Sequence, residues 1–195
     1  MSNGSLQNLV DVYKPKYTTG DEIKMLTGRP PVLYSDLEKY SSITELLGKW
    51  KFVVILYQVS SINDGHFVCL CESDSGKLLF RDSYGLKYDA EQAVGAVYDR
   101  ALPRYLTELI VKDGRDCEWN TYDYQKKSST VGTCGRWASV FSLWRNLSAQ
   151  EIKTLLTTNQ NSYLNDTDNA IVLLTLLPLA NVREFFDSRK QKNKY

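Results

Sequence analysis

One cysteine of this sequence has surroundings that suit nucleophilic catalysis. Cys134 follows a loop-like stretch at 128–133 and precedes Gly135, and an apolar pattern typical of a largely buried helix begins at about this point. A thiol at a helix N-terminus beside an imidazole ionises more easily, because the helix dipole and the imidazolium both stabilise the thiolate. Cys134 is therefore the candidate nucleophile of a covalent mechanism.

A thiol nucleophile needs a general base, and the chain has a single histidine, His66. A lone histidine is more often structural than catalytic, so this residue type alone does not decide its role. His66 follows Asp64 and Gly65 at the predicted start of a strand, which is a position where its ring could reach a site at the sheet edge. We predict that His66 is the general base.

The base must be oriented by a third group, and Asp82 is the candidate. Asp82 ends a predicted strand, and sixteen positions separate it from His66, which suits two short strands joined by one turn. Across such an antiparallel hairpin, the start of one strand lies beside the end of the next. Asp64 is the competing carboxylate, although its position two residues before the histidine is more typical of a turn.

An oxyanion hole needs hydrogen-bond donors aimed at the developing negative charge. The side-chain amide of Gln125 and the backbone N–H of Cys134 could supply two such donors. A surface glutamine without a catalytic role is the alternative, because a glutamine that follows a strand has no specificity of its own.

The remaining cysteines point to core packing. Cys69 and Cys71 lie in one apolar strand at positions that share a face, where a cysteine is more often a small core hydrophobe. With Cys117 and one histidine, and with no C-x-x-C pair, the chain has too few well-spaced ligands for a usual zinc site. We expect free thiols, no metal and no organic cofactor.

The elements that must position these residues are predicted from hydrophobic periodicity and turn signals. They suggest an α+β fold, with an antiparallel sheet flanked by helices. The predicted elements are helical turns within the first fifty residues, strands at 50–59, 66–72, 77–82 and 116–124, a helical segment at 89–110 interrupted at Pro103, a helix from Cys134, and a capping box at 148–151 before another helix.

Length and composition fit one domain over 1–195. The chain has 195 residues, is 43% hydrophobic and 24% charged, and carries a formal net charge of +1, which gives little support for a large nucleic-acid-binding face. No signal peptide is evident, and the longest apolar run, 170–180, is too short to span a bilayer, so we expect a soluble intracellular protein with no membrane partner. A basic tail at 188–195 is expected to be flexible, either simply solvated or in weak contact with nucleic acid.

Four segments in order resemble the cysteine proteases of the adenovirus protease (adenain) type, whose clan includes the SUMO and ubiquitin-like-protein proteases. The matching segments are GHFVCL at 65–70, FRDSYG at 80–85, Gln125, and CGRWA at 134–138. The stretches LYSDL at 33–37, ILYQ at 55–58 and DSYG at 82–85 look most like the maturation proteases of virophages and Maverick/Polinton elements. The resemblance covers residues from about 22 to 177.

The resemblance implies a papain-like cysteine protease fold, with the catalytic cysteine at a helix N-terminus. It also implies an endopeptidase that cleaves viral capsid or other virion precursors, commonly beside glycine. Its location would be the virion or the viral factory in the host cytoplasm. Adenovirus proteases are stimulated by a viral peptide and DNA, but the near-neutral charge of this chain does not favour strong DNA activation.

Two features depart from the family pattern. Phe67 follows the histidine where the family usually has tryptophan, which keeps an aromatic packing partner and loses the indole donor. The separation from Gln125 to Cys134 is nine positions, a little longer than the usual gap, so the loop between them is expected to bulge or to displace Gln125.

Two rival functions belong to the same sequence pattern. A deconjugating isopeptidase for ubiquitin-like modifiers would use the same four residues and differ only in its substrate. A catalytically silent binding protein could keep the fold, although the presence of all four residue types argues against it.

Overall fold

The computed structural model describes residues 3–61, 64–94, 101–157 and 166–176. The described residues form a mixed α/β arrangement of helices and strands. In chain order they are α1 (Asn3–Tyr13), α2 (Gly20–Thr27), β1 (Val32–Leu33), a 3₁₀ helix (Tyr34–Lys39), α3 (Ile43–Leu47), a second 3₁₀ helix (Gly48–Trp50), β2 (Phe52–Ser61), β3 (Asp64–Glu72), β4 (Leu78–Arg81), α4 (Ala90–Val94), α5 (Tyr105–Asp113), β5 (Cys117–Trp119), α6 (Cys134–Leu143), α7 (Ala149–Thr157) and α8 (Thr167–Leu176).

The five strands form one sheet in the order β1-β2-β3-β4-β5. The three central strands pair antiparallel, as the apolar runs and the turn-forming residues between β3 and β4 predicted. The register places Tyr57 opposite His66, and Cys69 opposite Arg81. This pairing brings the start of β3 near the end of β4, which is the geometry that a catalytic pair on these strands requires.

The central strands are apolar and buried at successive positions rather than at alternate ones. This pattern is typical of a sheet that is covered on both faces. On one face, Cys69 and Cys71 of β3 pack in a core with Trp137 and Phe141 of α6. On the other face, side chains of β2, β3 and β4 pack with α3, α5 and the first 3₁₀ helix. The face that contains α6 is the one that positions Cys134.

Several predicted elements differ in extent or pairing. The strand predicted over 116–124 is formed only at Cys117–Trp119, and it pairs parallel to β4. The two-residue strand β1 pairs parallel to β2, so the outer pairs of the sheet are parallel rather than antiparallel. The helical segment over 89–110 is divided into α4 and α5, and Pro103 precedes α5. Proline has no N–H to donate within a helix, which explains that boundary.

The C-terminal part contains the predicted helices. The capping box before α7 is formed, since Ser148 N donates to Glu151 Oε2 and Glu151 N donates to Ser148 Oγ. In the segments that the structure describes, no helix has the length and apolar character needed to cross a membrane. The basic tail at 188–195 lies outside the described residues.

Candidate active site

Cys134 is the first residue of α6, where the sequence places the candidate nucleophile. The helix begins with a backbone hydrogen bond from Trp137 N to Thr133 O, and the apolar side chains that follow anchor it on β3. The thiol therefore lies at the positive end of the helix dipole, which favours a negative charge. Cys134 is 5% exposed, so its surroundings are largely dry.

His66 is held on β3 by the strand pairing and by a close approach at the preceding glycine. Gly65 pairs with Gln58 of β2, and a Cβ at Gly65 would lie 1.8 Å from Tyr57 O. Only glycine allows the two strands to approach this closely, and the approach fixes the backbone next to the histidine. His66 is buried at 5% exposure, and its ring is stacked on Tyr84, with the centroids 4.6 Å apart.

Asp82 lies where the hairpin prediction placed it, beside the imidazole. Its Oδ1 is 2.5 Å from His66 Nε2, and its side chain is fully buried. The same carboxylate accepts hydrogen bonds from Tyr84 N at 3.0 Å and from Leu86 N at 2.9 Å. Asn120 holds the backbone of Asp82 through two hydrogen bonds, one to its N–H and one to its carbonyl. These bonds orient the carboxylate toward the imidazole.

Cys134 completes this group, and its side chain is among the causes that raise the pKa of His66. Because Asp82 takes Nε2, Nδ1 is the ring nitrogen left for the thiol. Burial opposes protonation of the ring, but hydrogen bonds to Asp82 and Cys134 and their negative charges outweigh it, so the pKa of His66 is well above its ordinary value. The arrangement therefore favours a protonated imidazole beside the Cys134 side chain.

This raised pKa predicts how stability depends on pH. The folded protein keeps a proton on His66 that the unfolded chain releases above about pH 6.5. The resulting stabilisation is fully present below that pH and is lost as the pH rises through the folded-state pKa. To remove the thiol that would titrate in the same range, the comparison uses Cys134→Ala protein. We expect urea unfolding to show an advantage over Cys134→Ala/His66→Gln that is largest near pH 6 and shrinks as the pH rises through the folded-state pKa of His66. An advantage that grows over this range would contradict the assignment.

The side chain of Gln125 is hydrogen-bonded to Ser83 and Tyr84, the two residues that follow Asp82, and is 3% exposed. Its Oε1 accepts from Ser83 Oγ at 2.9 Å, and its Nε2 donates to Tyr84 Oη and to Val131 O, both at 3.1 Å. Both amide hydrogens are thus in use. An oxyanion could accept from Gln125 Nε2 only by replacing the Tyr84 hydroxyl or the Val131 carbonyl as its partner.

The structure adds Tyr84 and Glu91 to the four predicted residues. Partial burial, followed by the charges of Cys134 and Glu91, raises the pKa of Tyr84 to about 12, which keeps its hydroxyl protonated at neutral pH. Glu91 of α4 is buried, with Oε1 4.0 Å from His66 Nε2. Burial raises the pKa of Glu91, and the charge of His66 opposes that shift. Tyr84 follows Asp82 in the sequence, but nothing in the sequence links Glu91 to His66.

His66, Asp82 and Glu91 carry atoms that can bind a metal ion, and these ligand atoms lie within 4.8 Å of one another. A zinc ion needs its nitrogen and oxygen ligands about 2.0–2.2 Å from the metal, which keeps those atoms roughly 3 Å or more apart. The separation of 2.5 Å between His66 Nε2 and Asp82 Oδ1 is that of a hydrogen bond. The geometry therefore suits proton transfer better than metal binding.

The other cysteines are buried and free, as expected for core residues. Burial is the main cause that raises the pKa of Cys69 well above its ordinary value and that of Cys117 to about 12. Thiols with such pKa values are poor nucleophiles near neutral pH. Cys134 differs from them in its imidazole partner and its helix N-terminus.

Comparison with known proteins relates the chain to a virophage. It is 27% identical over 161 residues to "Uncharacterized protein V9" of the Sputnik virophage, and the match covers 80% of this chain and 91% of that protein. No family model matches the sequence. Among solved structures, the central domain of uncharacterized Lpg1148 protein from Legionella pneumophila aligns with a TM-score of 0.43 at 14% identity, covering 88% of this chain and 99% of that domain. The virophage association is thereby supported, and the peptidase assignment stays a prediction.

Proposed function

We propose that this protein is a cysteine endopeptidase with a papain-like arrangement of its catalytic residues. The observation that carries the proposal is the buried group of Cys134 at the start of α6, His66 and Asp82, in which the Asp82 carboxylate is 2.5 Å from the imidazole. A nucleophile joined to a base, with the base oriented by a third group, is the arrangement that activates a thiol for acyl transfer. His66 lies on β3, Asp82 directly follows β4 and Cys134 begins α6, so the sheet and α6 must fold before the site exists.

In the proposed mechanism, His66 holds the proton of Cys134, and the thiolate attacks the carbonyl carbon of a peptide bond. The negative charge that develops on the carbonyl oxygen is stabilised by the backbone N–H of Cys134 and by Gln125, once its amide turns from Tyr84 to the oxygen. His66 then gives its proton to the departing amine as the C–N bond breaks. Water, deprotonated by His66, attacks the thioester and releases the acid product and the free thiol.

For the substrate, we propose the precursors of viral capsid or other virion proteins, cut beside glycine. The similarity to a virophage protein supports this choice, because it associates the chain with a virophage. The protein would then act in the virion or in the viral factory of the host cytoplasm. No metal or organic cofactor takes part in this chemistry.

The experiment that tests this function is digestion of the capsid precursor encoded with this protein. Wild-type protein and Cys134→Ala are incubated with it, and the fragments are identified by mass spectrometry. We expect defined fragments with wild-type protein alone, and their termini give the site preference. If the precursor stays intact while a probe ending in the C-terminus of a ubiquitin-like modifier is captured by Cys134, the protein is an isopeptidase instead.

A further inference from the structure

A second buried carboxylate lies behind the candidate site and takes no part in the mechanism above. Asp168 belongs to the first turn of α8 and is 0% exposed. It is more than thirty positions from Cys134 in the sequence, so no local pattern connects the two residues. A fully buried carboxylate is costly unless hydrogen-bond donors satisfy its oxygens. The hydrogen-bond donors to Asp168 come from both ends of one active-site loop.

The two oxygens of Asp168 hold the two ends of the 126–133 loop. Oδ2 accepts from the backbone N–H of Lys126 at 2.9 Å. Oδ1 accepts from Thr133 Oγ1 at 2.5 Å and from Trp137 Nε1 at 3.3 Å. Lys126 directly follows Gln125, and Thr133 directly precedes Cys134. One side chain therefore links the neighbours of the proposed oxyanion donor and the proposed nucleophile.

Other hydrogen bonds also hold this loop, including one from Lys126 Nζ to Asp166 Oδ2 at 2.5 Å. Gly132 N donates to Lys14 O at 2.8 Å, and Gln125 Nε2 donates to Val131 O at 3.1 Å. Within the loop, the exposed Ser128 and Thr130 bond to each other. A loop that spans nine positions between two active-site residues needs a clamp at its base, because the distance between those residues decides whether they can act on one carbonyl.

We infer that Asp168 is a positioning residue that sets the separation and orientation of Gln125 and Cys134. The inference rests on the proposed function, since it assigns Asp168 to that reaction. A carboxylate suits this role because it accepts hydrogen bonds on both oxygens. An amide in its place could not do so, because in either orientation its NH₂ group would face the N–H of Lys126 or that of Trp137.

The first test compares Asp168→Asn with Asp166→Asn in steady-state cleavage of a peptide taken from the digested precursor. Asp166 lies two residues away, pairs with Lys14 and Lys126 through their Nζ atoms, and caps α8 through the N–H groups of Asp168 and Asn169. Asparagine is as good a helix cap as aspartate, so Asp166→Asn is a matched control. We expect Asp168→Asn to lower kcat about 10 to 100-fold with KM changed less than about 2-fold, and the control to stay within about 2-fold of wild type.

A double-mutant cycle separates positioning from general stability. If Asp168 acts by placing Gln125, the Gln125→Ala change costs less in the Asp168→Asn protein than in the wild type. Fully additive effects, or an Asp168→Asn protein that melts at a lower temperature yet keeps the wild-type kcat, would overturn the inference. The rates are measured at a temperature where circular dichroism shows every variant folded.

A gentler pair of variants covers the case in which Asp168→Asn does not fold. Thr133→Val removes one of the donors to Asp168 with little change in shape, and Thr133→Ser keeps it. We expect a several-fold loss of kcat for valine, with serine near wild type; equal rates for the two would overturn the inference. If the wild type shows no turnover that depends on Cys134, the proposed function and the inference fail together, whereas wild-type kcat in Asp168→Asn overturns the inference alone.

Discussion

Replacing Cys134 with alanine is expected to lower kcat/KM for peptide cleavage by at least about 10⁴-fold while leaving the fold intact. Alanine removes the sulfur that forms the covalent bond, and no other described thiol lies at the site, because Cys69, Cys71 and Cys117 are buried in the strands of the sheet. The side chain of Cys134 is small, and the residue begins helix α6. Because alanine has a high helix propensity, we expect the Cys134→Ala protein to lose little folding stability.

The control for this variant is Cys117→Ala. Cys117 is also a buried free cysteine, but it lies on β5 and packs on the sheet face away from α6. We expect this variant to keep wild-type kcat/KM, measured by the release of a fluorescent product, and to lose only packing energy. Activity that survives in Cys134→Ala, or that is lost equally in both variants, would contradict the role of Cys134.

The second large effect is expected for Asp82→Asn, with kcat falling about 10² to 10⁴-fold. An asparagine Oδ1 can accept from His66, as the carboxylate does, only if its NH₂ group faces the N–H of Leu86. In the other orientation the NH₂ group faces His66 and holds the ring in the wrong tautomer. Removal of the negative charge also withdraws a cause that keeps the pKa of His66 high.

The same substitution should weaken folding, because one buried donor or acceptor is left unsatisfied at a cost of about 1–3 kcal/mol. A urea titration measures this loss separately from the rate. Asp64→Asn is the informative companion, since Asp64 is the carboxylate that competes with Asp82 in the sequence. We expect its kcat to stay within about 2-fold of wild type. A larger loss in Asp64→Asn than in Asp82→Asn would reverse the two assignments.

The central part of the fold could be predicted from the sequence because its signals are local. The apolar run of β2, the turn residues 73–76 and the run of β4 specify consecutive antiparallel strands. From that hairpin alone, the sixteen positions between His66 and Asp82 were sufficient to predict their contact. When two strands are joined by one short turn, the number of residues between two positions predicts whether they lie side by side.

The outer strands and the supporting residues could not be predicted in this way. The parallel pairing of β1 with β2 and of β4 with β5 joins segments separated by long connections, which no local pattern encodes. Glu91 and Asp168 reach the site from α4 and α8, elements whose packing is decided by tertiary contacts. Gln125 is hydrogen-bonded to Tyr84, and this bond depends on how the loop after β5 folds back on the end of β4.

The most direct test of the central claim is the rate at which iodoacetamide alkylates Cys134 at about pH 5.5, followed by intact-mass and peptide mass spectrometry. A free cysteine, with a pKa of about 8.5, is almost entirely a thiol at that pH and reacts slowly. If His66 and Asp82 activate Cys134, the wild type is modified at this residue at least about 10-fold faster than a free cysteine, and His66→Ala loses that advantage. A Cys134 that reacts no faster than a free cysteine, or equally fast in wild type and His66→Ala, would contradict the proposed catalytic role.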